Sequence, residues 1–587
     1  MNKNLIFLIA ILLFSQCKNN SVSHGSLNLD FENRVHNSLL PRMWHIGGEG
    51  VNIYLDKREK HSGKFSLKME IPSQSNADGR LTGRLPIETF AGKNVEFKGW
   101  IKTQNVQNGY AGLWLRADDA TGQTLSFDNM HERGLSGNNA WTQVSIKMDI
   151  SESAKNIRFG GVFTGEGTAW FDNFELYING EKYIDPIVPD KKRLSRKEIS
   201  ELRNYIYPLR TYNPDGGNTS DLDILSKLIG SSRVVALGEV SHGSSEIFKM
   251  KNRIIQYLAE NKDFDIFSIE ASMPEAYRMN DYVVHGKGDP RQLIWGMQYW
   301  MWATEEVLDI VEWMRRFNQS KQRIKFTGFD MQSHEGAVSE LLNAFRGNEN
   351  VENKIADLKI ILNNVSLWIH RESARENVMK QFNSILSFLQ HSIDTSALQT
   401  SEKAWLQQNV VIIQQYLKSV KTDNLVMLRD KSMANNFMWI KEQNPNSKFV
   451  IWAHNIHIMK ADQLMGHHLA QKLGDDYVTF GFTFFDGSFS AWGNDGLTVY
   501  EAAPAYRGTL EYLLNQLNEP IFILDLRRIK ANNSRYTEWL RQRLDYRVVG
   551  ALGGGRVSNE FMNRKIVNDF DYLIFIRTST PSVLLPR

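Results

Sequence analysis

The sequence predicts a multidomain chain: an N-terminal all-β sandwich, then an α/β domain with a mainly parallel sheet and a large helical insertion. Three observations carry this. Short segments alternating apolar and polar residues, separated by Gly, Asn and Asp, fill residues 26–180. From residue 198, β-branched apolar runs alternate with amphipathic helical patterns, and 351–444 reads as helix throughout. A chain of 587 residues also exceeds what one core supports. With 42% hydrophobic and 23% charged residues, the composition is that of a globular protein. The +3 net charge is spread over 69 basic and 66 acidic residues, with no run dense enough to hold a phosphate backbone, so nucleic acid is not an expected partner.

Residues 1–17 read as an address: Lys3 precedes the apolar run Leu5 to Phe14, too short to cross a bilayer, and Cys17 follows it. This resembles a bacterial lipoprotein signal. It implies export and a lipid anchor at Cys17, in the periplasm or at the cell surface. Cys17 is the only cysteine, so the mature chain is expected to hold neither an internal disulfide nor a cysteine nucleophile.

In the β region, Val95 to Ile101 and Gly112 to Arg116 are typical of the alternating segments. Leu29 to Asn33, Gly99 to Lys102 and Trp170 to Leu176 resemble parts of jelly-roll modules of the carbohydrate-binding, galactose-binding-like type. That resemblance implies a glycan partner. Trp44, Trp100, Trp114, Trp141 and Trp170 are then either core residues or sugar platforms. Asp30, Glu32 and Asp172 are either structural calcium ligands or solvated strand-end carboxylates. Residues 181–197, with Pro186, Pro189 and the run Asp190 to Arg193, lose the alternation and read as a linker.

In the domain 198–587, strands are expected at Ser232–Leu237, Phe264–Ile269, Ile324–Gly328 and Lys448–Trp452. Helices are expected at Phe248–Glu260, Thr304–Phe317, Ile355–His370 and Trp405–Leu417. Ligands of open α/β sheets bind beyond the carboxyl ends of the strands. Those ends lead here to Glu239 and His242, to Glu270, to Asp330, and to His454 and His457. Each has a bland reading as a cap or a turn residue. Their convergence on one edge is what marks a site.

The segments Ala236 to Gly243, Ile269-Glu270-Ala271, Thr304-Glu305-Glu306, Gly328 to Gln332, Arg429-Asp430, Trp452 to His457, Gly481-Phe482-Thr483 and Phe575-Ile576-Arg577 resemble, in order, the motifs of the erythromycin esterase family. The resemblance implies a hydrolase that opens an ester or macrolactone, macrolides included, without a covalent acyl-enzyme. His242 matches the water-activating histidine, Glu239 and Glu270 the acidic residues that support it, and His454 and His457 the second histidine pair. Histidine suits such a role because it exchanges protons near neutral pH. Arg429 is expected to stabilise an oxyanion, with Asp330 and Lys251 also facing substrate; Lys251 stands where the family has arginine.

No Gly-x-Ser-x-Gly string occurs, which argues against a serine hydrolase. A divalent metal on Glu239, His242, His454 and His457 remains the alternative to metal-free hydrolysis, since both pairs have i,i+3 spacing. The non-enzymatic alternative is a glycan-binding surface lipoprotein. Trp295, Tyr299, Trp300 and Trp302 are either an aromatic pocket wall for a large lactone or core. His467 and His468 are expected at the solvated surface.

Overall fold

The computed structural model describes residues 24–586 apart from 26, 35–38, 49, 74–76, 121, 189–190, 320–322, 370–371, 421–424, 462–463, 494–495 and 552–559. The leader and Cys17 lie outside the described residues. The chain is multidomain, with an antiparallel β body followed by a large mixed sheet flanked by helices.

The spine of the β body is the long strand Asn94–Asp118. Its first half pairs with Glu166–Ile178 and Leu135–Asp149, and its second half with Asn156–Thr164 and Thr124–Asp128. The strand thus joins both sets of partners around one core, which Phe31, Phe97, Phe159, Phe163 and Phe171 fill.

Three of the five tryptophans are buried here. Trp44 donates to the Asn28 carbonyl, Trp114 to the Leu81 carbonyl and Trp170 to Asp56. Trp170 is covered by the ammonium groups of Lys68 and Lys102, and His61 stacks on Trp100 at 4.0 Å. The carboxylates considered for calcium hold backbone amides. Asp172 accepts from His61, Ser62 and Asn173, and Glu32 accepts from Lys64 and Phe65.

Between the two bodies the chain is not free of pairing. Glu181–Lys182 closes a hairpin on Tyr177–Ile178, and Ile187–Val188 pairs with His24–Gly25. Ser195 then starts the helix Arg196–Leu202 with a capping box completed by Glu198. Arg42 of the β body forms an ion pair with the buried Asp545, which also accepts from Tyr506 and Asn563.

The second body is built on β1 (Ile206–Pro208), β2 (Val234–Leu237), β3 (Ile266–Ser272), β4 (Lys325–Asp330), β5 (Phe449–Trp452), β6 (Tyr477–Gly493), β7 (Gly496–Ala502), β8 (Ile521–Asp525) and β9 (Tyr572–Ser579). The order across the sheet is β1-β8-β9-β6-β2-β5-β3-β4, with β7 hairpinned on β6. Strands β9, β6, β2, β5, β3 and β4 pair in parallel, whereas β1, β8 and β7 are antiparallel additions. The sheet is therefore mixed, and its antiparallel edge is an addition to the sequence expectation.

Every residue of β2, β3 and β5 is buried, because both faces of the sheet are covered. Val234 and Ala236 point into one core and Val235 and Leu237 into the other. Ser245–Lys262 and Glu305–Phe317 cover the second face. The helices from Glu335 to Gln443 pack over the first.

The turn after β2 is fixed by close packing: a Cβ on Gly238 would lie 2.1 Å from Asn455 Oδ1. Asn455 is fully buried, donates to the Phe482 carbonyl at 2.7 Å and accepts from its amide at 3.1 Å, which ties the loop after β5 to β6. Replacing Asn455 by Ala strands both Phe482 groups, at a cost of about 2–4 kcal/mol. The expected result in differential scanning calorimetry is a melting temperature lowered by several degrees; an unchanged melt would refute this role.

Candidate active site

The β2, β3, β4 and β5 ends meet as a single polar cluster. Glu239, 0% exposed, leaves β2 and accepts three hydrogen bonds: from His242 Nδ1 at 2.6 Å, Lys251 Nζ at 2.7 Å and Trp452 Nε1 at 2.6 Å. Lys251 comes from the following helix and also sits over the Trp452 ring at 4.2 Å. Burial pushes the Glu239 carboxyl up, but Lys251 and His242 outweigh it and hold it below the ordinary value. An ionised Glu239 is acceptor only, so His242 must carry its proton on Nδ1. The lone pair of Nε2 is left available, and Nε2 makes no hydrogen bond among the described residues.

The second half of the cluster is centred on Glu270, at the end of β3. One oxygen accepts from Arg429 Nη2 at 2.7 Å and the other from the His454 amide at 2.9 Å. Arg429 also bridges to Asp330 at the end of β4, at 2.7 Å. His457 Nδ1 donates to Asp430 at 2.8 Å, and its Nε2 lies 3.2 Å from Glu270. Burial alone would lower the His457 pKa, but Asp430 and Glu270 raise it to about 10. As an imidazolium it donates to both carboxylates, so its 3.1 Å approach to Arg429 Nη1 is a contact of two cations inside a carboxylate cage rather than a hydrogen bond.

His454 stands between the halves, 5.0 Å from the His242 ring and 6.4 Å from that of His457. Burial, with the neighbouring His242 and His457, lowers it to about 4. It is neutral, donates through Nε2 to the Val549 carbonyl at 2.9 Å, and accepts the Ile456 amide on Nδ1. Both nitrogens are thus engaged with the backbone, which leaves His454 a spacer between the two rings.

All five residues read as catalytic from sequence, with Arg429, come together. Two expectations are corrected. Lys251 has no exposed surface and its ammonium is spent on Glu239, so it supports the carboxylate and does not touch substrate. Burial lowers its pKa to about 8 against the pull of Glu239. Asp330 is likewise fully buried and holds Arg429 rather than a ligand.

Of the aromatic group, Trp302 is core, donating to the Glu270 carbonyl, while Trp295, Tyr299 and Trp300 are half-buried. Tyr299 donates to Asp330 and Gln332 beside Arg429. His467 and His468 are half-buried rather than solvated. The sequence assigned no role to Trp452 or Asp430, which sit inside recognised motifs, and it offered Tyr299 only as pocket wall or core; the tertiary contacts assign their tasks.

The metal alternative meets occupied donors. Glu239 has spent both oxygens on three donors and His454 both nitrogens on backbone. Among the described residues no group of three or more His, Cys, Asp or Glu is arranged to hold a metal ion.

These features define an α/β protein with a buried cluster of ionisable side chains at the carboxyl edge of its sheet, one imidazole oriented by a carboxylate and a cationic pair beside it. The chain belongs to the erythromycin esterase family, whose model matches residues 259–579. Glu239, His242 and Lys251 precede that matched stretch.

The Bacillus subtilis (strain 168) protein YbfO is 25% identical over 412 residues, covering 63% of this chain and 90% of that one. Erythromycin esterase type II of Escherichia coli is 25% identical over 322 residues, covering 48% of this chain and 76% of that one. A solved protein structure from Bacillus cereus superposes with a TM-score of 0.59 at 26% identity, covering 66% of this chain and 99% of that one.

The raised His457 pKa makes stability depend on pH in a defined sense. The folded state holds this proton more tightly than the ordinary value of 6.5, so the contribution is complete below that value and is lost as pH rises through about 10. Thermal melts of wild type and His457→Gln should therefore differ most near pH 6 and converge by about pH 10.5. A gap that widens with pH would contradict the assignment.

Proposed function

We propose that the chain hydrolyses a carboxylic ester or lactone of a small molecule, with water as nucleophile and His242 as the base that activates it. The observation that carries this reading is the 2.6 Å contact of His242 Nδ1 with the buried Glu239, which fixes the tautomer and points the free lone pair of Nε2 away from the carboxylate. Water bound at Nε2 gives up its proton to the imidazole as its oxygen bonds the carbonyl carbon. The oxyanion that results is stabilised by the Arg429 guanidinium and the His457 imidazolium. When the carbon–oxygen bond to the leaving group breaks, the alkoxide takes the proton back from His242 Nε2. Glu270 and Asp330 set the position of Arg429.

Family membership supports a hydrolase, and the absence of a nucleophile elbow supports direct attack by water. The leader ending at Cys17 supports an exported, lipid-anchored enzyme. Macrolides and acylated glycans are the substrate classes to screen.

His242→Ala is expected to lower turnover of the accepted ester by roughly 10²–10⁴-fold while the melting temperature stays within a few degrees. Chelators should leave wild-type turnover unchanged. Activity that vanishes on chelation and returns with added metal would overturn the metal-free reading, and full activity in His242→Ala would overturn the base. In cells fed an alkyne-tagged fatty acid, the wild-type chain should take up label and Cys17→Ala should not.

A further inference from the structure

Three arginines stand side by side on three adjacent strands of the β body. Arg84 is the direct partner of Arg158, Arg158 of Arg116, and Phe127 lies opposite Arg116 on the next strand. Their chain neighbours Leu85, Ile157, Phe159, Leu115 and Ala117 are core residues. The strand pleat therefore turns the arginines and Phe127 to the outer face.

Like charges directly opposite one another weaken a sheet. Here a single carboxylate serves two of them: Asp118, fully buried, accepts from Arg116 Nε at 2.7 Å and from Arg158 Nη2 at 2.8 Å. Arg116, Arg158 and Asp118 together keep one net positive charge. The nearby Arg80 and Arg133 are matched by Asp78 and Asp128. Arg158 Nε is buried with no hydrogen-bond partner among the described residues. Trp114 lies on the same face, and Phe127 is 54% exposed.

We propose that this face binds a carboxylate-bearing polysaccharide, independently of the hydrolytic site. Guanidinium forks match carboxylates in two-point geometry, and the exposed Phe127 ring offers an apolar face to the C–H side of a sugar ring. Charge complementarity selects an acidic chain over a neutral one. The side chains of Arg116 and Arg158 are only 18% and 28% exposed, so their charge is recessed, which suits a polymer strand lying between side chains better than the flat headgroup layer of a membrane.

Native affinity electrophoresis of the full chain tests this, with polygalacturonate in the gel, fully methyl-esterified pectin in a parallel gel, and flotation with phosphatidylglycerol vesicles. Polygalacturonate should retard the wild type in a salt-sensitive way, and the other two should not bind. Arg116→Gln/Arg158→Gln should weaken retardation at least tenfold. Because that variant leaves Asp118 buried alone, Phe127→Ala at its exposed position is the second probe, with an expected loss of threefold or more at unchanged melting temperature. No retardation of wild type, equal retardation by the esterified polymer, binding to vesicles alone, or wild-type affinity in both variants would each overturn the proposal. Ester turnover should be the same in all three proteins.

Discussion

The Glu239 carboxylate is a full negative charge with no access to water, and much of the second body is arranged to keep it there. Burying an isolated carboxylate costs several kcal/mol, so the group is tolerable only with its lone pairs filled by good donors. Three elements supply them: the turn after β2 gives His242, the next helix gives Lys251, and β5 gives Trp452. The parallel register pairs Leu237 with Trp452, which brings the indole N–H to Glu239, two residues past the end of β2. A slip of one residue would turn Trp452 to the opposite face. Such an arrangement adds little net stability; what it fixes is the orientation of one imidazole.

The rest of the cluster divides protonation states among three histidines that lie close together. His457 is held as a cation by Asp430 and Glu270, and His454 is held neutral by burial and by its cationic neighbourhood. Two imidazoles fixed in opposite states leave His242 as the ring with an open nitrogen. Glu270 organises the second half, because one oxygen fixes the backbone at His454 and the other fixes Arg429. Glu239 therefore sets the orientation of His242, and Glu270, Asp330 and Asp430 set the two cations.

Much of this was legible in the sequence because it is local. Buried parallel strands are short apolar runs, and the polar residues at or just beyond the carboxyl ends of β2, β3, β4 and β5 could be read as a sheet-edge site. Less legible was whatever depends on distance along the chain. Arg429 and Asp430 are neighbours on a helix contributed by the helical insertion, and they serve different partners, one Glu270 and Asp330, the other His457. Helical periodicity gives the faces of such a helix but not which one meets the sheet. Lys251, standing where the family has arginine, suggested a substrate contact, yet its helix is buried almost all round and Lys251 meets Glu239. The antiparallel strands β1, β7 and β8 escaped notice because no catalytic motif flags them. In the β body, three of the tryptophans read as core or platform are buried, Trp170 beneath Lys68 and Lys102, and the other two, Trp100 and Trp141, both meet the His61 ring.

The central claim is that Glu239 fixes His242 as the Nδ1–H tautomer with a free Nε2. Nitrogen-15 NMR of histidine-labelled protein above the imidazole titration, with the His242 signals assigned by difference from a His242→Asn sample, reads this directly. The account predicts a protonated, pyrrole-type Nδ1 and an unprotonated, pyridine-type Nε2, and a mixture of tautomers once Glu239 is replaced by Gln. A wild-type spectrum with the proton on Nε2 would contradict it, since that imidazole has no lone pair to offer water.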